Sequence, residues 1–393
     1  MYQLALQLAS RHDVTLLSYV DPDGVADIAR VRAAMDVQAV EYRWGTGTGK
    51  RLTQLASVVS TRPFICRLMY TSKMQSAIDA LSASETFDVV QLESSPLCTF
   101  RLPSDVCVIL DEHNVEYEIF ARIRETERSL PRRSFNRLEY SRFRRFEQRW
   151  WRRVDGCLVT SEREERIVRT QAPDTPVAVV PNGVDLEYFR PPDSDPEPQT
   201  VVFNGVLDYR PNLDAAEFLV DAVWPLILDR CPRARLTIVG RGGPADLRAL
   251  ERPGVALTGE VADVRPYLRD AAVVAVPIRM GGGTRLKVVE GLAMAKAMVS
   301  TSLGCEGVHV DDGEHLVIAD EARAFADGVV SLFENAALAR ALGSAGRERM
   351  SQEYSWDIAG ERQEALYRRV VGQDGDESLR TARSPTRGAR ADV

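Results

Sequence analysis

Val273-Val274-Ala275-Val276-Pro277-Ile278-Arg279-Met280-Gly281-Gly282-Gly283-Thr284-Arg285-Leu286-Lys287-Val288-Val289-Glu290 reads as a buried strand, a glycine-rich turn and the start of a helix. The opening apolar run is of the kind that a parallel strand covered on both faces requires. The amphipathic stretch Lys287–Ala295 continues the helix. Consecutive glycines let backbone approach a phosphate closely. The first N–H groups of a helix are free donors, and the helix dipole favours an anion there. Arg285 and Lys287 add positive charge beside them. Glycines, two cations and a downstream Glu290 in one turn point to an anion site rather than a plain flexible turn.

The same pattern runs outward. Short apolar runs alternate with helical stretches, as in βαβ units with parallel sheets. Strands are expected at Val14–Tyr19, Asp88–Leu92, Val106–Leu110, Gly156–Thr160 and Val177–Val180 in the first half. The second half offers Thr200–Phe203, Arg235–Val239, Val255–Leu257, Val273–Val276 and Met298–Thr301. Each set suffices for one open parallel sheet. Asn212–Cys231 reads as an amphipathic helix. Between the halves, Pro191 to Pro198 is proline-rich, acidic and poor in apolar residues, which marks a linker. The expected organisation is a first domain over 1–185, a linker over 186–197, a second domain over 198–371 and a disordered tail over 372–393. Tyr2–Ala9 looks like the back half of a helix. A doubly wound domain normally begins with a strand and a glycine turn feeding that helix, so the first domain is expected to lack its opening strand.

Bulk properties narrow the function. A chain of 393 residues fits two domains. A net charge of −7 argues against general nucleic-acid binding. The six cysteines are scattered, mostly in apolar runs, as buried thiols of a reducing compartment are. With only four histidines, widely spaced, no zinc site is expected. No apolar run approaches the roughly 20 residues that span a bilayer, and the N-terminus is too polar for a signal peptide. A cytoplasmic protein is expected. Residues 122–153 hold twelve Arg and four acids, with Phe135, Leu138, Phe143, Phe146, Trp150 and Val154 at helical spacing. Such a helix can rest on anionic lipid at the inner membrane face, or simply show water a basic side. Asp21/Asp23 and Asp193/Asp195 have D-x-D spacing but fall at a turn and in the linker, so no metal is expected.

Several segments in order carry a resemblance. They are Val180-Pro181-Asn182-Gly183-Val184-Asp185, Phe203-Asn204-Gly205-Val206-Leu207, Leu236-Thr237-Ile238-Val239-Gly240-Arg241 and Leu257-Thr258-Gly259-Glu260-Val261. The glycine-rich stretch above and Val299-Ser300-Thr301-Ser302-Leu303-Gly304 complete the second half. In the first half, Phe87-Asp88-Val89-Val90-Gln91-Leu92-Glu93 and Leu110-Asp111-Glu112-His113-Asn114 belong with them. Together they resemble the retaining glycosyltransferase family 4, and within it a subgroup tied to bacterial exopolysaccharide and lipid-linked sugar assembly. The resemblance implies the GT-B fold: α/β, two doubly wound Rossmann-like domains facing a cleft. It implies transfer of a sugar from a nucleotide-diphosphate sugar to a saccharide or polyprenyl-linked acceptor, without cofactor or metal.

The resemblance also assigns roles. Gly281, Gly282, Gly283 and Thr284 would cradle the diphosphate, with Arg285 and Lys287 stabilising charge that grows on it. Glu290 would accept hydrogen bonds from the ribose. Gly205 would bring backbone to the diphosphate; a lysine frequent in the family near this turn is Pro211 here, and the adjacent Arg210 would compensate for it. Arg241 lies at the carboxyl end of a strand, where ligands of open α/β sheets bind. Glu260 and Val261 would line the base through their backbone. A glutamate frequent in the family near the donor sugar is Gly282 here, which leaves the sugar open. Glu93 and His113 each follow a buried strand, and would act on the sugar or the acceptor. Two other readings stay open: a GT-B sugar-nucleotide epimerase and an inactive transferase-like binding partner.

Overall fold

The computed structural model describes residues 2–21, 25–43, 62–126, 130–281 and 285–372. They divide into two compact units, Met1–Val180 with Gly360–Val393, and Pro181–Ala359. Every strand pairing between named strands is parallel.

In the first unit, β1 (Thr15–Val20) pairs with β2 (Asp36–Glu41) as a two-stranded sheet. A separate four-stranded sheet holds β3 (Val89–Leu92), β4 (Cys107–Glu112), β5 (Gly156–Val159) and β6 (Val177–Val179) in sequence order. The single sheet expected here is thus two sheets among the described residues. β4 and β5 are buried along their whole length. Helix Leu130–Trp151 lays Phe143 and Trp151 into the core beside them.

The second unit has one six-stranded sheet of order β12-β11-β10-β7-β8-β9. Its strands are β7 (Glu197–Asn204), β8 (Arg235–Val239), β9 (Val255–Leu257), β10 (Ala271–Val276), β11 (Met298–Ser300) and β12 (Val317–Ile318). β7 starts the unit and sits at mid-sheet. The chain first winds to one side of it through β8 and β9, then crosses to β10 on the other. Helix Leu286–Ala293 buries Val288, Val289, Leu292 and Ala293. The helix expected over 212–231 is interrupted by a π turn at Leu219–Val223, where the Trp224 amide donates to the Leu219 carbonyl. Pro225 follows and has no amide to continue an α-helical ladder.

The boundary at Val180 lies close to the expected one, but the far end differs. The second domain was expected to run to 371, whereas from Gly360 the chain counts with the first unit. Helix Trp356–Val371 shows why. Glu364 pairs with Arg11 at 2.9 Å, and the Gln363 amide donates to Gln91 at 2.9 Å. Apart from Gly372, the tail expected over 372–393 lies outside the described residues.

Two buried acids stand within the core of the first unit. Glu112 accepts from the Trp151 indole N–H at 2.7 Å, and its second oxygen is buried without a hydrogen-bond partner among the described residues. Glu147 accepts from the backbone amides of Glu116 and Tyr117, each at 2.9 Å, and from the Ser95 hydroxyl at 3.1 Å. Burial pushes both carboxyls up; Glu147 raises Glu112 further, and Glu116 raises Glu147. Glu147 is raised to about 8; its three donors favour its charged form, so Glu112 holds its proton to the higher pH.

A group whose folded pKa is raised in this way stays protonated while the unfolded chain ionises. Stability therefore falls as pH rises above about 4.3, by up to about 1.4 kcal/mol per pH unit, until the folded group also ionises. Glu112→Gln keeps an acceptor for Trp151 and removes the titration. Its melting temperature is expected to decline less than that of the wild type between pH 5 and pH 8. An equal decline in both proteins would place the proton elsewhere.

Candidate functional site

In an open parallel sheet the chain diverges on either side of its switch point, and the crevice at the carboxyl ends of those strands takes the ligand. Here the switch point lies between β7 and β10, and the loops after both strands carry the predicted residues. Gly205 leaves β7, and its amide donates to the Val239 carbonyl at 2.9 Å. A Cβ on Gly205 would stand 2.8 Å from the Asn212 amide carbon and 2.9 Å from Lys287 Nζ. Glycine is what allows those two side chains to lie on the backbone.

Lys287 reaches this turn from the first turn of helix Leu286–Ala293. Its Nζ donates to Asn212 Oδ1 at 3.0 Å and sits 4.5 Å from the centre of the Phe203 ring. The Asn212 amide donates in turn to the Val206 carbonyl at 2.9 Å, which fixes its orientation. Burial, and then the neighbouring Arg285, lower the Lys287 ammonium to about 7, against the pull of Glu290. Burial raises the Glu290 carboxyl, and Lys287 opposes the shift. Gly281 holds φ at +102°, and a Cβ there would be 3.3 Å from Arg285 Nη2. A half-buried cluster of Arg285, Lys287 and Glu290 thus faces a glycine turn at a helix start. A diphosphate beside these cations would find positive charge and backbone amides together.

Not every predicted residue joins. Gly282, Gly283 and Thr284 lie outside the described residues. Arg241 is exposed and 3.7 Å from the exposed Asp208. The side chains of Arg210 and Glu260 are exposed and make no hydrogen bond or ion pair among the described residues. Val261 packs against the core. Phe203 stands in a motif and Asn212 opens an expected helix, but the sequence reading gives neither a role. The available signal for Asn212 was a polar side chain in the first turn of the helix that follows the Gly205 loop.

The first unit brings Glu93 and His113 together. β3 and β4 are neighbours with Leu92 opposite Leu110, so the residues just past their ends meet. His113 Nε2 lies 3.1 Å from Glu93 Oε2, and Nδ1 lies 3.7 Å from Asp111 Oδ1. Burial raises the Glu93 carboxyl, but hydrogen bonds from His113 and Gln91 outweigh it and the net shift is down. His113 is shifted up, chiefly by the Glu93 hydrogen bond. Asp111, buried, is raised to about 6. Ligand atoms of Glu93, Asp111 and His113 lie within 4.8 Å of one another, as do those of Asp311, Glu314 and His315.

Residues 1–188 match the family model described as Glycosyltransferase Family 4, and residues 198–335 match Glycosyl transferases group 1. The chain is similar to a sucrose-phosphate synthase from Thermosynechococcus elongatus, with 17% identity, a TM-score of 0.67 and coverage of 94% and 92% of the two chains. It is also similar to HepE from Anabaena, solved in complex with UDP-glucose, with 14% identity, a TM-score of 0.62 and coverage of 95% and 94%. The fold is therefore GT-B. Among curated proteins, the chain is 27% identical over 237 residues to a phosphatidyl-myo-inositol mannosyltransferase of Mycobacterium leprae, covering 56% of this chain and 61% of that one. Over 144 residues it is 26% identical to an uncharacterized 44.6 kDa protein in the cps region of Klebsiella pneumoniae, covering 34% and 37%. The matched segments span less than two thirds of either relative. The chain is thus a GT-B protein whose two halves each match a glycosyltransferase domain model.

The turn after β7 depends on Gly240. Its φ is +150°, and a Cβ there would collide with the Gly205 carbonyl. Gly259 has φ +68° with open space around it. Gly240→Ala is therefore expected to cost clearly more stability than Gly259→Ala, which carries only a left-handed penalty of about 1–2 kcal/mol. Equal losses in denaturant titration would refute the close approach.

Proposed function

We propose that the protein transfers a sugar, with retention, from a nucleotide-diphosphate sugar to a saccharide or polyprenyl-linked acceptor, in polysaccharide or glycoconjugate assembly. The observation that carries this reading is Lys287 held against Gly205 by Asn212, beside Arg285 and a helix start. As the glycosidic bond breaks, negative charge grows on the leaving diphosphate. Preorganised cations and free amides stabilise it without a metal. Glu290 takes the ribose hydroxyls, while Glu93 and His113 serve the sugar or acceptor. Neighbours of the same fold bind UDP and UDP-glucose, which supports a nucleotide sugar as donor. The domain matches favour transfer over epimerisation.

A lipid-bearing acceptor is supported by the named mannosyltransferase and by helix Leu130–Trp151. Both acids of this helix, Glu139 and Glu147, are buried, whereas Arg132, Arg133, Arg137, Arg144, Arg145 and Arg149 are exposed. Among described residues no helix is long and apolar enough to cross a membrane. We place the protein in the cytoplasm, with this basic face in peripheral contact with anionic lipid.

Three measurements test the donor site. Arg285→Ala and Lys287→Ala should each weaken nucleotide-sugar binding by about 1–3 kcal/mol, the scale of charged hydrogen bonds. Unchanged affinity in both would remove the assignment. A bound diphosphate restores the Lys287 charge, so binding takes up a proton once pH exceeds about 7. Calorimetry with the tightest-binding nucleotide sugar should show affinity falling by up to about tenfold per pH unit above that point. Lys287→Arg should flatten the slope. Transfer should also survive EDTA; loss restored by manganese or magnesium would instead point to Glu93, Asp111 and His113 as ligands.

A further inference from the structure

Glu93 and His113 are not held by their own strands alone. Gln91, on β3, has one amide with a fixed polarity. Its Oε1 accepts from the Tyr367 hydroxyl and from Gln363 Nε2 at 2.9 Å. Gln363 Nε2 also donates to the Tyr367 oxygen at 2.8 Å, which leaves the Tyr367 proton for Gln91. With two donors aimed at its oxygen, the Gln91 amide cannot flip, because its N–H groups would then face other donors. Gln91 Nε2 must point the other way. It donates to Glu93 Oε1 at 2.7 Å and lies 3.5 Å from Asp111 Oδ2. Glu93 Oε1 is thereby engaged, and Oε2 is left to His113.

We infer that Gln91, Gln363 and Tyr367 are positioning residues that lock Glu93 and His113 into one reactive geometry, an inference resting on the transferase reading. Gln363 is fully buried, and its own Oε1 has no hydrogen-bond partner among the described residues. A purely structural helix contact would be better filled by an apolar side chain. An amide that leaves one oxygen unmet in order to present its N–H groups is organised around Gln91. Two further acids face the centre: Glu116, whose carboxyl His113 lowers, and Glu164, which raises Asp111. Neither lies on the last helix, so changes there alter the relay without removing these charges.

The chain has four histidines, so the imidazole signals can be followed by NMR and His113 identified by its loss in His113→Gln. The free protein, without substrate, is titrated as wild type, Gln91→Leu and Tyr367→Phe. The His113 midpoint is expected to drop by half a pH unit or more in Gln91→Leu, towards the ordinary value of about 6.5. A smaller drop in the same direction is expected in Tyr367→Phe. In the transfer assay the kcat profile should move with the midpoint while the donor KM stays within about twofold. Tyr367→Phe removes only a hydroxyl and serves if Gln91→Leu does not fold. An unmoved His113 midpoint in the folded variants overturns the inference, whatever the activity. A moved midpoint in a protein that transfers from no nucleotide sugar upholds the lock and overturns the transferase reading.

Discussion

The second unit depends on one close approach: the Gly205 carbonyl occupies the space where any other residue at 240 would carry its side chain. β7 and β8 run side by side from Thr200 opposite Arg235 to Asn204 opposite Val239. The chain then leaves both strands through glycine. Backbone crowding at this point is what allows Asn212 and Lys287 to close over the turn. The cationic side chain is desolvated by its position in the fold, before any ligand arrives. A charge that is poorly solvated when free gains most from an anionic partner, because little hydration is surrendered on binding.

The parts of this arrangement set by local rules were legible in the sequence. β8 and β9 match their expected limits, and β10 matches at its carboxyl end, because each is a short run dominated by apolar residues and bounded by turns. β2 was missed. Its Asp36-Val37-Gln38-Ala39-Val40-Glu41 carries polar residues throughout and stays half exposed, so it lacks the signature of a covered strand. β4 was expected to stop at Leu110, yet Asp111 and Glu112 continue it and are buried. Nothing local reveals that two adjacent acids will be desolvated.

The site shows the same division. Glycines and cations within a dozen residues of one another could be read as one anion site. The meeting of Glu93 with His113 followed from two neighbouring strands ending together, although their bond was not foreseen. The contact between Gln91 and Gln363 spans 272 positions. Contacts at such separation leave no periodic trace, and the last helix was assigned to the wrong half for that reason.

That helix has a consequence for engineering. The chain passes from one unit to the other at Val180 and back at Gly360, so neither crossing alone separates the units. At its start, Trp356 packs on Gly183 within the second unit; further on, Leu366 and Val370 pack on Gly156 within the first. Exchanging the second unit between proteins of this architecture by a single splice near residue 181 would import a foreign final helix along with it. A chimera meant to change only the second unit needs a second junction before Gly360. The native segment that follows would then remain with the half it completes.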